Sequence, residues 1–336
     1  MGLPQLAIPD YFEARYGELM MIDRNYQPIF LVGSVRSGTT LLRLMLDHHP
    51  DLAFHHESEF IVTQVPRSHQ LWPNMNDYWD WLESDRIFLH SNFSIDRSLP
   101  YPDLVKSFLA QKQARDGKPL VGATVHIDFD ILPRIWPDAK YIHLVRDPRD
   151  VSRSVIQMGW AGNYWHAADT WRIAEKCWDR LLGLIPNGSF IEIHYEDLIR
   201  DHFAELTRIC HFIGIDYSGK MLDYASNSTY GLPDPTLTEQ WKSKLSNAEI
   251  SIVEAKCHEL MTLRNYDCVI TPVKQIPSLK QFYFNLQSWI YRVAFRRKRY
   301  GLRLLLKDFI GRRLHYSKWR RETAVAIREI DEQHIR

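Results

Sequence analysis

The sequence contains no run of the ~18 apolar residues that a helix needs to cross a bilayer. Its 336 residues include only four cysteines, Cys177, Cys210, Cys257 and Cys268, and no two of them form a CxxC pair. That scarcity argues against a disulfide framework or a thiolate metal centre, and for a reducing compartment. The opening MGLPQLAIPDYFEARYG carries acids early and has no apolar core of export-signal length. Together these absences give the expectation of a cytoplasmic protein. No internal repeat is visible.

What is present is a globular composition. Apolar residues make up 45% and aromatics 12%, enough for a buried core in one large α/β domain with an appendage. The net charge of +1 conceals an asymmetry: residues 275–336 hold 15 Lys and Arg against 5 Asp and Glu, and the first 274 residues hold 27 against 36. This shift suggests a boundary near Pro272–Pro277. The expected division is a lead-in over 1–27, a main domain over 28–270 and a basic helical extension over 275–336.

Short apolar runs alternate with helix-period segments. PIFLVG (28–33), LVGATV (120–125), KYIHLV (140–145) and SFIEIHY (189–195) read as strands. Helices are expected over 39–49, from Pro148 to Met158, over 167–185, and along EDLIRDHFAELTRICHFIG up to Gly214. Another follows at 245–261, with Ser246 as N-cap and Glu249 completing a capping box. Trp171 and Trp178 fall on one face of the 167–185 helix and read as core. Alternating strands and helices mean βαβ units on a central parallel sheet flanked by helices. The interval 60–118 is rich in Trp, Pro, Asn and Ser with weak periodicity. It reads as an insertion carrying acceptor specificity, where Trp72, Trp79 and Trp81 either pack or stack on a ligand.

Two segments carry the chemistry. In GSVRSGTT (33–40) a strand meets a helix through a glycine-rich turn, the geometry that points backbone N–H groups at an anion. The lysine that nucleotide triphosphatases place after the second glycine is absent, and Thr39 stands there. That disfavours kinase or GTPase chemistry. Downstream, YIHLVRDPRDVSRSV (141–155) delivers Arg146 from the end of a buried strand and places Ser154 about two turns into the following helix. Strand carboxyl ends are where open parallel sheets bind ligands.

VRSGTT and RDPRDVSRS, in that order, resemble the signatures of sulfotransferases that use 3′-phosphoadenosine-5′-phosphosulfate (PAPS). RSGTTLLRLMLDHHPDL, FIEIHYEDLIRD and WKSKLSNAEISIVEAKCHELM are similar to the branch that holds tyrosylprotein and bacterial carbohydrate or metabolite enzymes. The resemblance runs from about Pro28 to Tyr266. It implies a P-loop-like sheet and a metal-independent transfer of a sulfonyl group from PAPS, leaving the product PAP. It assigns Arg36, Ser37, Gly38, Thr39 and Thr40 to the 5′-phosphosulfate, and Arg146 and Ser154 to the 3′-phosphate. Tyr195 would line the nucleotide site, and Trp241 with Lys242 would close over it.

The resemblance also points to Glu57 in HHESEF as the base that takes the acceptor proton, with His55 and His56 as rivals and Glu59 a weaker one. One departure stands out. Where related enzymes read G-(D/E)-K-T-P, this sequence reads VGATVH, and Ala123 is taken to stand in the place of the lysine. His126, Lys242 or Lys244 would have to supply the missing cation.

The expected acceptor is a hydroxyl of a carbohydrate or other metabolite, with a peptide tyrosine as the alternative. An inactive binding module is the reading from another class. Residues 281–321 interleave arginines with large apolar residues. They read as an arm on the body or in a homodimer, with peripheral membrane contact or an anionic polymer as alternatives and nucleic acid disfavoured.

Overall fold

The runs that end at Val32, Val125 and Val145 are too apolar to face water and too short to be helices. In the computed structural model, which describes residues 27–68, 71–270, 276–314 and scattered positions from 316 to 330, these runs form one sheet. The lead-in 1–26, the boundary residues 271–275 and most of the chain beyond 314 lie outside the described residues. The strands are β1 (Ile29–Val32), β2 (Leu52–Glu57), β3 (Leu120–Val125), β4 (Lys140–Val145) and β5 (Phe190–His194). Their order is β2-β3-β1-β4-β5 and every pairing is parallel.

The helices, in chain order, begin with α1 (Thr39–Asp47), α2 (Met75–Leu82), α3 (Arg86–Ser91) and α4 (Tyr101–Asp116). After β4 come α5 (Pro148–Gln157) and α6 (Tyr164–Leu182), and after β5 come α7 (Tyr195–Arg200) and α8 (His202–Ile213). The short α9 (Trp241–Lys244) leads to α10 (Asn247–Leu263). The tail forms α11 (Ser278–Tyr300) and α12 (Leu302–Arg313).

Strand periodicity decides which side chain enters which core. Phe30, Val32, Val121, Ala123 and Val125 face one layer, with Phe108 of α4 and Trp178 of α6. Ile29, Leu31, Phe54, Ile142 and Leu144 face the other, with Leu42 and Met45 of α1 and Leu206 of α8. Both faces are therefore covered, as a parallel sheet requires. The chain leaves β1 toward β2 on one side and β4 toward β5 on the other. That reversal opens a crevice between the carboxyl ends of β1 and β4.

Several expectations are sharpened. LAFHHE is a fifth strand, β2, hidden in the sequence by its two histidines and glutamate. The 195–214 helix is broken at Asp201, whose side chain accepts the Ala204 N–H and restarts it as α8. The 60–118 interval, expected as a loop-and-helix insertion, holds three helices among its described residues. Its polar residues are helix starts: Asn74 accepts the N–H groups of Asn76 and Asp77, and Asp85 accepts that of Phe88. The helices they launch bury Tyr78, Leu82 and Phe88, and α4, which starts after Pro100 with no capping side chain, buries Leu104 and Phe108. Trp72 stacks on Tyr101 at 5.3 Å, Trp81 on Tyr78 at 6.0 Å, and Trp79 lies 5.4 Å from the Arg97 guanidinium, so all three pack. The capping box of α10 is formed as expected, with Ser246 and Glu249 bonding reciprocally.

Gly122 in β3 tests the tightness of the sheet. A methyl there would overlap the Ile29 carbonyl oxygen and the Phe54 ring. Gly122→Ala is expected to cost about 1–3 kcal/mol and lower the melting temperature by several degrees in a thermal scan. Gly219→Ala, which meets open space, is the control expected to leave it unchanged.

Candidate functional site

The glycine loop is forced into shape by what surrounds it. Gly33 has φ 148° and its Cα lies against the Leu144 carbonyl of β4. Gly38, at φ 92°, lies under the Tyr195 ring, so a side chain at either position has no room. Arg36 between them takes the left-handed region at φ 70°, an uncommon conformation for a residue with a side chain. The loop ends in α1, whose N-cap Gly38 offers no capping side chain, so its first-turn amides remain available to an anion. The Ser37 hydroxyl is fully buried beside them without a partner.

Across the crevice, RDPRDVSRS resolves into separate tasks. Arg146 at the end of β4 lies 4.3 Å over the Tyr195 ring and donates to the backbone oxygens of Arg36 (3.3 Å) and Leu237 (3.1 Å). Asp147 caps α5 through the Arg149 N–H and holds the Arg149 side chain at 2.7 Å. Arg149 also pairs with Glu254 at 2.8 Å and stacks 3.6 Å from the Trp241 ring, so it is a buried structural cation. Asp150 accepts the Trp241 N–H at 2.9 Å, and Arg153 reaches Gln240 at 2.7 Å, which docks the 235–244 segment over Arg146. Ser154 accepts from Arg36 Nε at 2.9 Å, bringing the two motifs into contact.

A cavity of about 290 Å³ adjoins the loop, lined by Thr39, Thr40, Arg43, His56, Glu57, Arg86, Ile87, His90, Thr124 and His126. A bulge in β2, between His55 and Glu57, turns His56 and Glu57 toward it at the strand's carboxyl end. His126 is buried at the end of β3. Its Nδ1 lies 2.7 Å from Glu59 Oε1, and its Nε2 lies 2.9 Å from Thr39 Oγ1. Burial opposes charge on this ring, but the Glu59 hydrogen bond and charge outweigh it and raise the His126 pKa. Glu59 shows the reciprocal shift: burial works against ionisation, and His126 holds the carboxyl below its ordinary range. With the ring protonated, both nitrogens donate, and Thr39 relays that charge to the mouth of the loop.

The structure brings most of the sequence-derived residues together and corrects several. Arg36, Ser37, Gly38, Thr39 and Thr40 surround the loop, with Arg146, Ser154, Tyr195 and Trp241 on the opposite wall. Arg36 is turned toward Ser154 and does not line the cavity. His55 is excluded as a base: it is buried between Phe60 and Phe93, bonded to Ser58 at 3.0 Å, and desolvation pushes its pKa to about 2. His56 does reach the cavity, but burial and Arg43 lower it to about 4. Glu59 is committed to His126. Lys242 is exposed and paired with Glu239 at 2.8 Å, so it supplies no cation here. Ala123 is also corrected. Its side chain is fully buried in the core, whereas Thr124, the second residue after Gly122, lines the cavity and so occupies the lysine's place. The sequence reading missed Arg43, Arg86 and His90. Arg43 was findable, since it follows Thr39 by four residues and so shares its face of α1.

With this geometry established, three comparisons bear on it. The protein-family model described as Sulfotransferase family matches residues 28–219. Protein-tyrosine sulfotransferase A of Caenorhabditis elegans is 24% identical over 261 residues, covering 74% of this chain and 62% of that protein. Protein-tyrosine sulfotransferase 2 of Gallus gallus is 26% identical over 228 residues, covering 62% of this chain and 58% of that protein. The chain thus spans about three fifths of the length of these curated relatives. Among solved structures, the sulfotransferase domain from the Synechococcus PCC 7002 olefin synthase superposes with a TM-score of 0.53 at 24% identity, covering 73% of this chain and 98% of that one. It shares the fold. The family match spans more than half of the chain and encloses the glycine loop, the bulged strand and the Arg146 motif, and on that ground this chain belongs to the sulfotransferase family.

Proposed function

We propose that the chain is a PAPS-dependent O-sulfotransferase acting on a hydroxyl of a carbohydrate or other hydroxylated metabolite. The observation that carries the donor assignment is the Arg36–Ser154 contact. It joins the loop suited to a phosphosulfate to the wall suited to a second phosphate. The residues present fit a nucleotide with two anionic groups: Ser37 Oγ, Arg146 Nε and Trp241 Nε1 are buried without partners, and Gly38 lets the Tyr195 ring close directly on the loop. When bound, PAPS supplies an already activated sulfonyl group, so the protein's tasks are positioning, charge and proton transfer.

Glu57, at the exposed end of β2 and on the cavity wall, takes the acceptor proton. Thr39, backed by the His126 cation, faces the charge that builds on the leaving oxygen. Arg43 has lost part of its basicity to burial but remains positive and adds charge on the acceptor side. A peptide tyrosine is the second reading, favoured by the names of the curated relatives. A cytoplasmic location is supported by the thiols: all four cysteines are unpaired, and three are buried.

Replacing Arg36 or Arg146 with Ala is expected to weaken 3′,5′-ADP binding by about tenfold or more in calorimetric titration. Unchanged affinity in both would overturn the site. Glu57→Gln should lower turnover by ~10²-fold or more at constant nucleotide affinity, read by mass-spectrometric detection of sulfated product across carbohydrate, metabolite and tyrosyl-peptide acceptors. Wild-type protein that binds 3′,5′-ADP yet forms no product on any acceptor would mark a binding module instead. The His126 charge is present below its raised pKa and lost as pH rises through it. Glu59→Gln removes the support and leaves desolvation to dominate, so the alkaline fall of kcat should move to lower pH. A profile that stays in place would remove His126 from the chemistry.

A further inference from the structure

Helix α11 carries apolar side chains on two opposite faces. One, with Phe284, Ser288 and Phe295, docks on the turn between α5 and α6. Asn163 donates to the Phe284 carbonyl at 2.7 Å, the Gly162 N–H donates to Ser288 Oγ at 3.1 Å, and the Phe295 ring covers Gly159. The other face carries Leu279, Phe282, Leu286, Trp289, Ile290 and Val293. These recur every three or four residues and so lie on one side of the helix, 47–82% exposed. Docking on the body accounts for the first stripe and leaves the second uncovered.

The chemistry around the second stripe selects its partner. Trp289, Ile290 and Val293 floor an open groove of about 550 Å³ bordered by Arg297 and Lys298. Ser278–Tyr300 contains six Lys and Arg and no Asp or Glu. Beyond Gly301, α12 also exposes Leu302, Leu306 and Phe309, beside exposed Arg303. Pairing with the same helix of a second copy would set cation against cation with no carboxylate on either helix to answer it. An anionic lipid surface meets both demands, since headgroup phosphates neutralise the basic rim and the acyl boundary takes the aromatic and aliphatic side chains. Among the described residues no helix is long and apolar enough to cross a membrane, so the contact is one that lies in the interface.

We propose that α11, continued by α12, is a peripheral anchor that lays its outer face into an anionic phospholipid surface. The proposal does not depend on the donor or acceptor assignment. It is tested with the full chain by flotation on vesicles of phosphatidylcholine alone and of phosphatidylcholine with an equal part of phosphatidylglycerol. Capture is expected only on the anionic vesicles, weakening at least about tenfold as salt rises from ~0.05 to ~0.5 M. Arg297→Gln with Lys298→Gln should weaken it by about tenfold, and Phe282→Ser with Trp289→Ser should abolish it. An unchanged melting transition reports that each variant is folded. Absence of capture by anionic vesicles overturns the proposal. If sedimentation velocity then shows a dimer that Phe282→Ser with Trp289→Ser converts to monomer, the face belongs to a second copy of the chain.

Discussion

The arrangement of this protein depends on the contact between Arg36 Nε and Ser154 Oγ across the crevice between β1 and β4. Its partners are 118 residues apart, and nothing local brings them together. They meet because a parallel sheet with this strand order must reverse its winding somewhere, and the reversal leaves two loops facing one space. The glycine loop closes one wall and Arg146 the other, with Tyr195 between them against both Gly38 and the Arg146 guanidinium. An anion entering there meets amides, hydroxyls and guanidinium groups already held in place, which lowers the ordering cost of binding.

The same logic explains how a site with no lysine at the loop can remain positive. Where the resemblance leads one to expect a lysine, the structure has a chain of contacts: Glu59 fixes His126, His126 faces Thr39, and Thr39 belongs to the loop. A buried imidazolium is costly on its own, and the Glu59 carboxylate buried beside His126 offsets that cost and raises its pKa. The acceptor side is different in kind. Glu57 stands with His56, Arg43, Arg86 and His90 around an open cavity, so its electrostatics will change when an acceptor displaces water.

Legibility in the sequence followed the strength of the local signal. PIFLVG, LVGATV and KYIHLV were readable because a strand buried on both faces must be continuously apolar. LAFHHE was not, because its polar half serves the cavity rather than the core, and a functional strand end breaks the pattern that reveals strands. The glycine loop and Arg146 were readable because their residue types are constrained at fixed spacing. Ala123 was set one position early: the motif's own spacing from Gly122 points to Thr124, and the structure agrees by burying Ala123 in the core and placing Thr124 on the cavity. In 60–118 a mixture of loop and helix was legible but the helix bounds were not, because capping residues such as Asn74 and Asp85 read as loop when their partners are not known.

One carboxylate also ties the crevice to chain beyond the family match. Glu254 holds the buried Arg149 and accepts the backbone N–H groups of both Val269 and Ile270 at 3.0 Å. A fragment ending at residue 219, where the family match stops, would keep every anion-binding side chain of the loop. It would lose Glu254 and Trp241, leaving Arg149 with only Asp147 and Asp150 without the Trp241 amide. An expression boundary drawn at residue 219 from sequence similarity alone would therefore cut through the support of this crevice.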